Sequence, residues 1–577
     1  MNNLFDRNIL ALAQTNPPVA SRLSGVRPRY AQYKIIESRS GERVPARIDA
    51  NGAVHPLHST MDPRKEAKRL INTAEEGFLV LLGLGGGFYA EAALEREDIG
   101  TVLVIEYEAE NFTELISLLD YSHIFTNPRF QLLLDSSGLE IEQNILSLYQ
   151  PVLYGGIRVI PLRPRTGLVP ELFAMAGNAV EAAISRVSAD YSVQAHFGKR
   201  WFSNTVRNLL HTAENMDDVP AIHRAAVCAA GPSLSLQIEQ LKKNREDLFL
   251  IATDTSLPCL LNGGLIPDAV ISIDCQHISY YHFISDGLPE ETHLFLDLAS
   301  PPLLSAMTKR RHFFTGGHPL TRYVSQVYGL LPELDTSGGN VTYAAVSLAE
   351  RLGAVEIELY GADFSYPNGV TYARGTYIYR IFESRQNRFS SLEAQASAFL
   401  YRTPIEKRFN HAAKWDIWRG HRGITKEKEN HAWYYETGIL KLYREKLEDK
   451  SKHMEAALIP IEGTGAPISV RQGENRGQNT KTFSYGKPMM KAEDFLRSYR
   501  DAVAGLPESG KNPGAYLASL RDEQRIVLTT LLPAAAAIKH GLTTRRGSAA
   551  DFREVLEETR AFCLAEIDTV LGSSHKK

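Results

Sequence analysis

Two tyrosines placed six residues apart around a Pro-Asn-Gly turn are well suited to chemistry. Tyr366 and Tyr372 lie in the loop ADFSYPNGVTY, which follows the apolar segment EIELYG. Two phenol O–H groups aimed at a phosphate can stabilise the charge that develops on a leaving nucleotide without a metal ion. Tyrosines in loops are also common packing residues, so the spacing alone leaves both interpretations open.

Polar or glycine residues end three successive apolar segments further upstream. The residues at these ends are Gly231, Pro232, Ser233 and Leu234 after AAVCAA, Asp254 and Thr255 after LFLIAT, and Asp274 at the end of AVISID. In an open α/β sheet, ligands bind outside the carboxyl ends of the strands, where glycine lets the backbone approach an anion. We therefore expect the residues after the first two segments to bind a nucleotide-sugar, with Asp254 or Thr255 on the base or ribose, and Asp274 to be a further carboxylate at a strand end. Ordinary turns and helix caps are the alternative.

A Gly-rich turn supplies a third candidate for nucleotide binding. Ser337, Gly338, Gly339 and Asn340 precede the helical pattern VTYAAVSLAERLG. Backbone N–H groups and side chains at such a helix start could contact a base, ribose or phosphate. A simple Gly-rich helix cap is the alternative.

The elements that must position these residues alternate between strand and helix. This alternation predicts an α/β fold with two doubly wound, Rossmann-like domains in tandem and a C-terminal helical domain. We expect an N-terminal domain at 1–165, beginning with a small β meander at 31–60, and a helical connector at 166–220. A central catalytic domain at 221–460, a linker or loop at 461–488 and a helical domain at 489–577 follow.

The N-terminal domain carries a glycine turn of its own. Gly83, Gly85, Gly86 and Gly87 follow an apolar strand and open a helix, and Glu106 ends the next strand. An acidic residue about 20 positions after such glycines suits a ribose diol, which makes this turn a possible second nucleotide or S-adenosylmethionine site. The spacing is not GxGxxG, so a scaffold without a ligand is the alternative.

Composition excludes several classes of protein. At 577 residues with 44% hydrophobic and 23% charged residues, the chain is globular and too long for one core. A net charge of −3 gives no reason to expect nucleic acid as a partner. The four cysteines lack metal-ligand spacing and fit a reduced, cytoplasmic protein, and no apolar run reaches the length of a membrane span.

The order of the motifs resembles a known group of enzymes. GPSL, TSG before an alanine-rich helix, G-x-D-F and Y-x-N-G-x-x-Y are similar to the bacterial CMP-sialic-acid-dependent sialyltransferases. With TDTSLPCLLNGGLIPDAVISID between them and a Gly-rich unit before them, the pattern looks like the motility accessory factor (Maf) family, over roughly residues 60–400. That family is associated with flagellin glycosylation by nonulosonic acids.

The resemblance implies a function and residue roles. A CMP-activated nonulosonic acid, of pseudaminic or legionaminic type, would be the donor, flagellin Ser or Thr the acceptor, and no cofactor would be required. Gly231, Ser233, Ser337 and Gly338 would contact the nucleotide, and Tyr366 and Tyr372 the leaving phosphate.

The general base is not identified by the resemblance. The sialyltransferases use a histidine downstream of the tyrosines, and His411, His421 and His431 occupy a different sequence context here. Asp274, Asp363 or another carboxylate could activate the acceptor instead. The aromatic cluster Trp415, Trp418, Trp433, Tyr434 and Tyr435, with Arg419 and Arg422, could border an acceptor groove, although core packing explains it as well.

Two other functions remain open from the sequence. The archaeal pterin diphosphokinases resemble the same central domain, and their chemistry would need ATP and Mg²⁺ held by carboxylates such as Asp254 and Asp274. A flagellin-binding assembly factor that kept the fold without turnover is the other possibility.

Overall fold

The protein is described from a computed structural model. The residues that the structure describes are 4–49, 51–75, 77–212, 219, 221–284, 286–329, 331–410, 432–470, 483, 485–486, 488–510, 513–548 and 550–574. The chain divides into two compact units, one formed by residues 1–199 and 502–562, the other by residues 200–501 and 563–577.

The first unit begins with two short helices and a small antiparallel sheet. The helices are α1 (Leu4–Thr15) and α2 (Pro17–Ser24), and the strands are β1 (Tyr33–Glu37), β2 (Arg43–Ile48) and β3 (Val54–Pro56). The strands pair in the order β1-β2-β3, so the predicted meander is confirmed.

A four-stranded parallel sheet forms the centre of the first unit. Its strands are β4 (Phe78–Leu82), β5 (Thr101–Glu106), β6 (Phe130–Leu134) and β7 (Ile157–Pro161), in the order β6-β5-β4-β7. β4 and β5 are buried throughout because helices cover both faces, which explains their uninterrupted apolar sequences. These helices are α3 (Pro63–Ile71), α4 (Phe88–Leu94), α5 (Ala109–Leu118), α6 (Ser122–Phe125), α7 (Gly138–Leu148), α8 (Pro151–Tyr154) and α9 (Arg163–Thr166).

Four further helices form the long connector and the C-terminal part of the chain. They are α10 (Pro170–Leu209), α20 (Pro513–Ser519), α21 (Asp522–Arg546) and α22 (Phe552–Ser574). Residues of α20 and α21 share a hydrophobic core with β4 and β5. Of the helical domain expected at 489–577, residues 502–562 belong to the first unit, and residues 489–501 and 563–577 belong to the second.

One described helix passes a length and composition test for membrane spanning. It is α21, and 61% of its apolar window is buried inside the protein. Burial of this kind is typical of a core helix, so the finding is weak evidence for a membrane span.

The second unit contains a seven-stranded parallel sheet. Its strands are β8 (Arg224–Cys228), β9 (Phe249–Thr253), β10 (Ala269–Ser272), β11 (His293–Asp297), β12 (Arg311–Phe314), β13 (Glu356–Tyr360) and β17 (Ala457–Pro460), in the order β12-β11-β10-β9-β8-β13-β17. The direction of the strand order reverses between β8 and β13. This reversal is the position at which open α/β sheets bind ligands.

The predicted fold class is confirmed, with one strand more than predicted in the second sheet. The six predicted strands β8 to β13 are present, whereas β17 lies in a segment that showed no strand pattern. The helices of this unit are α11 (Leu234–Lys243), α12 (Leu257–Asn262), α13 (Pro302–Ser305), α14 (Pro319–Val327), α15 (Val341–Arg351), α16 (Tyr377–Arg385), α17 (Leu392–Leu400), α18 (Gly438–Ser451) and α19 (Ala492–Ala504).

A small antiparallel sheet follows β13 in the second unit. It contains β14 (Tyr366–Pro367), β15 (Glu406–Asn410) and β16 (Ala432–Glu436), in the order β14-β16-β15. Tyr366 pairs with Tyr435 and Pro367 with Tyr434, so this sheet fixes the start of the two-tyrosine loop.

Candidate functional site

The carboxyl ends of β8, β9 and β13 meet at the strand-order reversal. The turn after β8 begins at Gly231, where a Cβ atom would lie 2.4 Å from both Gly361 O and Asp363 Oδ2. Only glycine lets the two chain segments approach so closely. Gly231 N donates to Gly361 O at 2.8 Å, which joins the turn to the end of β13.

The buried carboxylate of Asp363, which follows β13, binds the turn after β8. Its Oδ1 accepts the Ser233 hydroxyl at 2.5 Å, and its Oδ2 accepts Ser233 N at 2.8 Å. Burial raises the pKa of Asp363 to about 6, although the Ser233 and Gly465 hydrogen bonds act in the opposite direction. The side chains of Ser233 and Asp363 are thus engaged with each other rather than facing open space.

A third segment, 461–466, completes the junction. Thr464 N donates to the Ser233 hydroxyl at 2.9 Å, and Gln237 Nε2 donates to Ile461 O and Glu462 O. A pocket of about 150 Å³ lies beside it. This part of the expected linker is therefore packed against the turn after β8.

Four residues of this turn were predicted to contact the nucleotide, and their backbone N–H groups decide whether the turn can bind an anion. Leu234 is fully buried, and Leu234 N donates to Gly231 O at 3.0 Å, so the N–H groups of Gly231, Ser233 and Leu234 are all satisfied by the protein. Pro232 lacks an N–H. The arrangement favours a strand-to-helix junction over an anion cradle at this turn.

The two-tyrosine loop lies directly over the turn after β8. Ala373 N donates to Ala230 O at 2.9 Å, and Arg374 N donates to the Ser235 hydroxyl at 3.2 Å. Burial and, to a smaller extent, the neighbouring Tyr366 raise the pKa of Tyr372 to about 12. Both phenols are close together and remain protonated hydrogen-bond donors at neutral pH.

The structure brings Arg402 and Tyr377 to the same place, and the sequence analysis included neither. Burial raises the pKa values of Tyr366 and Tyr377, while the charge of Arg402 lowers the pKa of both and of Tyr372. Arg402 is exposed and its guanidinium lies 3.9 Å from the ring centroid of Phe399. Three phenols and one exposed guanidinium therefore share one surface, which suits a phosphate.

The ends of β9 and β10 place Asp254 and Asp274 next to this surface. Asp254 Oδ1 accepts from Thr255 N at 2.7 Å and from the Thr255 hydroxyl at 3.0 Å, and its Oδ2 accepts the Ser272 hydroxyl at 2.7 Å. Burial raises the pKa of Asp274, and the charge of Asp254 adds to the shift, so the predicted pair is brought together.

His282 is a further polar residue that the sequence analysis did not include. It ends the 3-10 helix His277–His282 after β10, and its Nε2 lies 3.5 Å from the Thr255 hydroxyl oxygen. Its ring packs at right angles against that of Tyr377, with centroids 4.5 Å apart. The segment QHISYYH has neither helical nor strand periodicity, so only the fold reveals this position.

The predicted turn 337–340 forms the start of α15. Asn340 caps the helix by accepting Tyr343 N at 3.0 Å, and Gly338 packs so closely that a Cβ would lie 2.1 Å from the Tyr343 ring. Ser337 N donates to Asp335, and Lys446 of α18 donates to Ser337 O at 2.9 Å. Gly339 has a positive φ of 74°. The geometry fits a helix cap, and the nearby lysine also suits an anion.

The glycine turn of the first unit is filled by the protein's own side chains. Glu106 accepts from Leu84 N at 2.9 Å and forms a buried ion pair with Arg165 at 2.9 Å. His58 Nε2 accepts Gly86 N at 2.8 Å, because burial lowers the His58 pKa to about 3 and keeps the ring neutral. A Cβ at Gly83 would lie 2.8 Å from the Arg165 side chain. The arrangement favours the scaffold interpretation.

The remaining turn glycines also contact protein atoms. A Cβ at Gly85 would lie 2.5 Å from His58 Nε2, and one at Gly87 would lie 2.7 Å from Ile124. The glycines of this turn therefore make room for protein side chains at the predicted second nucleotide site.

Several predicted candidates fall outside the described residues. These are His411, Trp415, Trp418, Arg419, His421, Arg422 and His431. Trp433, Tyr434 and Tyr435 lie in β16, and the Trp433 and Tyr435 rings pack edge to face at 5.2 Å. Across the described ranges, no group of three or more His, Cys, Asp or Glu side chains could hold a metal ion.

Comparisons with known proteins agree on the fold. Residues 199–369 match a family model described as 6-hydroxymethylpterin diphosphokinase MptE-like. The structure of a Maf glycosyltransferase from Magnetospirillum magneticum AMB-1 is similar over 98% of this chain and 95% of that chain, with a TM-score of 0.57 and 16% identity. The resemblance to Maf proteins is thus confirmed at the level of the fold.

Two proteins of Treponema pallidum (strain Nichols), both described as uncharacterized, are similar in sequence. One is 34% identical over 167 residues, which are 28% of this chain and 80% of that protein. The other is 48% identical over 95 residues, which are 16% of this chain and 34% of that protein.

Proposed function

This chain belongs to the same family as the Treponema pallidum protein of which it spans 80%, and from that premise and its Maf-like fold we propose that it is a glycosyltransferase. The donor is a CMP-activated nonulosonic acid of pseudaminic or legionaminic type. The acceptor is a Ser or Thr hydroxyl of flagellin in the cytoplasm, and the transfer inverts the anomeric centre. Glycosylation then serves flagellum assembly and motility.

The observation that carries the proposal is the phenol and guanidinium surface over β8 and β9. The rings of Tyr372 and Phe399 lie with their centroids 6.2 Å apart, and the Arg402 guanidinium lies 3.9 Å from the same Phe399 ring. Tyr366 raises the pKa of Tyr372, and the Arg402 charge lowers the pKa of both phenols. Hydrogen-bond donors fixed in a partly buried site stabilise charge that develops on a departing phosphate, because they need little reorganisation during the reaction.

The reaction follows from this placement. The acceptor oxygen forms a bond to the anomeric carbon while the bond from that carbon to the CMP phosphate oxygen breaks. The electron pair leaves with the phosphate oxygen, where the Tyr366 and Tyr372 hydroxyls donate hydrogen bonds and Arg402 supplies positive charge. The tyrosines stay protonated because their pKa values are raised.

The proposal is tested by incubating the purified protein with CMP-pseudaminic or CMP-legionaminic acid and measuring CMP release and sugar transfer to flagellin. We expect the Tyr366→Phe, Tyr372→Phe double variant to lose at least about 100-fold in turnover, since one such donor is worth that much in other enzymes. Tyr323→Phe is the matched control, because it keeps its ring contacts with Phe495 and Tyr499. Undiminished turnover in the double variant contradicts the mechanism.

A pterin diphosphokinase activity is the second candidate, and the match of residues 199–369 favours it. Mg²⁺ would be held by Asp254 and Asp274, yet every carboxylate oxygen of both already accepts a hydrogen bond from a neighbouring group. EDTA discriminates between the two: it should abolish ATP-dependent diphosphate transfer and spare tyrosine-assisted sugar transfer.

The mass of flagellin separates an enzyme from an assembly factor. In a deletion strain, we expect flagellin to lose the mass of its nonulosonic acid glycans. Unchanged flagellin mass together with impaired motility would instead support a non-catalytic role in flagellin binding.

A further inference from the structure

His282 stands at the edge of the proposed donor site with one ring nitrogen unused. The residue is 7% exposed, and its Nδ1 is buried without a hydrogen-bond partner among the described residues. An unsatisfied buried polar atom destabilises the folded protein, and a ligand hydroxyl that donates to it would offset that cost. The remaining task in sugar transfer is to accept a proton from such a hydroxyl.

The neighbours of His282 determine which ring nitrogen is basic. The Thr255 hydroxyl has one hydrogen, which it donates to Asp254 Oδ1 at 3.0 Å. Towards His282 Nε2, 3.5 Å away, this oxygen can therefore act only as an acceptor. The neutral ring then carries its proton on Nε2 and leaves a free electron pair on Nδ1.

Asp254 is itself fixed in the orientation that this arrangement requires. Its second oxygen accepts the buried Ser272 hydroxyl at 2.7 Å, and Thr255 N holds the first at 2.7 Å. A carboxylate, a hydroxyl and an imidazole thus form an ordered series that starts at the end of β9. Such a series sets the tautomer of a histidine that acts as a base.

A second carboxylate, that of Asp274, also lies near His282. The charge of His282 lowers the pKa of Asp274, so the two groups are close enough to interact. In general, a carboxylate near a histidine that acts as a base stabilises the imidazolium formed during the reaction. The Tyr377 ring, half-buried and packed against His282, lies beside the phenols assigned to the leaving phosphate.

We propose that His282 is the general base that activates the acceptor hydroxyl. This assignment rests on the proposed function and places the base upstream of the tyrosines, on the segment after β10. As the acceptor oxygen attacks the anomeric carbon, its proton moves to Nδ1 and the phosphate takes the electron pair of the broken bond. The imidazolium then releases the proton to solvent. Because Nδ1 is buried in this structure, the acceptor hydroxyl reaches it only when the side chains that cover it move.

The test compares three variants of the full-length protein: His282→Asn, His282→Ala and His277→Asn. His277 lies on the same 3-10 helix and is exposed, so its replacement should leave transfer unchanged. We expect His282→Asn to lower transfer from the CMP-linked donor at least about 100-fold, the usual contribution of a general base. CMP affinity, measured by calorimetry, should remain as in the unchanged protein.

Imidazole added to His282→Ala distinguishes a base from a structural role. Partial recovery of transfer by imidazole supports the assignment, because a diffusible base can replace the missing ring but cannot restore packing. Full activity of His282→Asn, or a loss of CMP binding that accompanies the loss of transfer without imidazole rescue, overturns it. An unchanged protein that is inactive on every CMP-linked donor refutes the proposed function itself, and the assignment with it.

The variant His411→Asn tests the competing assignment, in which a histidine downstream of the tyrosines is the base. Retained transfer in His411→Asn, together with the loss in His282→Asn, supports the upstream base. The reverse pattern overturns the assignment while leaving the glycosyltransferase proposal intact.

Discussion

The two glycine turns of this protein share a sequence pattern and differ in what occupies them. In the first unit, Glu106 at the end of the neighbouring strand forms a buried ion pair with Arg165. In the second unit, Asp254 at the corresponding position orients Thr255 toward His282. A strand, a glycine turn and an acidic residue on the next strand therefore do not identify a nucleotide site. The partner of the acidic residue distinguishes a scaffold from a site.

The largest effect is expected when the ion pair of the first turn is broken. Glu106→Gln leaves Arg165 buried with only the partly exposed Glu108 as an anionic partner, and we expect a loss of about 3 kcal/mol in the free energy of unfolding. Urea unfolding measures it. Glu95→Gln, in an exposed pair with Lys68, is the control and should cost less than about 1 kcal/mol. Equal costs for the two variants would mean that the first turn is not held by this pair.

The second turn depends on a buried carboxyl group, which gives a pH test. A rise in the Asp363 pKa from 3.8 to about 6 means that the folded protein binds this proton more tightly than the unfolded chain does. Stability from this group is therefore present below pH 4 and is lost as pH rises to about 6, by roughly 3 kcal/mol. The free energy of unfolding of Asp363→Asn should rise by that amount relative to the unchanged protein between pH 4 and pH 7. A constant difference across this range would contradict the assignment.

The Arg402 side chain allows the exposed phenol and guanidinium surface to be tested apart from the buried junction around Asp363. We expect Arg402→Met to lower kcat/KM for the CMP-linked donor about 10- to 100-fold, since hydrogen bonds to charged groups contribute about 1.5 to 3 kcal/mol. Arg388→Met is the matched control, because Arg388 also lies over an exposed phenylalanine ring, that of Phe389. Normal kinetics for Arg402→Met would remove the guanidinium from the proposed site.

Ligand binding gives the most direct comparison of the two turns. CMP at 100 times its dissociation constant should stabilise the protein by about 2.7 kcal/mol, whereas NAD or S-adenosylmethionine should not shift the melting temperature. Differential scanning fluorimetry measures both. A shift with either of the latter two ligands would show that the first turn binds a nucleotide despite His58 and Arg165.

Local patterns predicted the strands, the turns and the two-tyrosine loop, because apolar runs and glycine positions depend on near neighbours in the chain. The sequence did not reveal the partners of Ser233, since Asp363 and Thr464 lie 130 and 231 residues further along. Arg165 was missed as the partner of Glu106 for the same reason, at a separation of 59 residues. Arg402 and His282 lie in segments without periodicity. Only the fold brings Arg402 close to the tyrosines and His282 close to Thr255 and Tyr377.

The junction of Ser233, Asp363 and Thr464 also has a consequence for synthesis of the chain. The turn after β8 leaves the ribosome long before residue 464, and 231 residues separate Ser233 from Thr464. At 5 to 20 residues per second, this delay is roughly 10 to 50 s. The Ser233 hydroxyl meets its acceptor Asp363 after 130 residues, but the turn lacks the Thr464 N–H donor until about four-fifths of the protein has been made. The junction at the carboxyl end of β8 therefore reaches its final form late in translation.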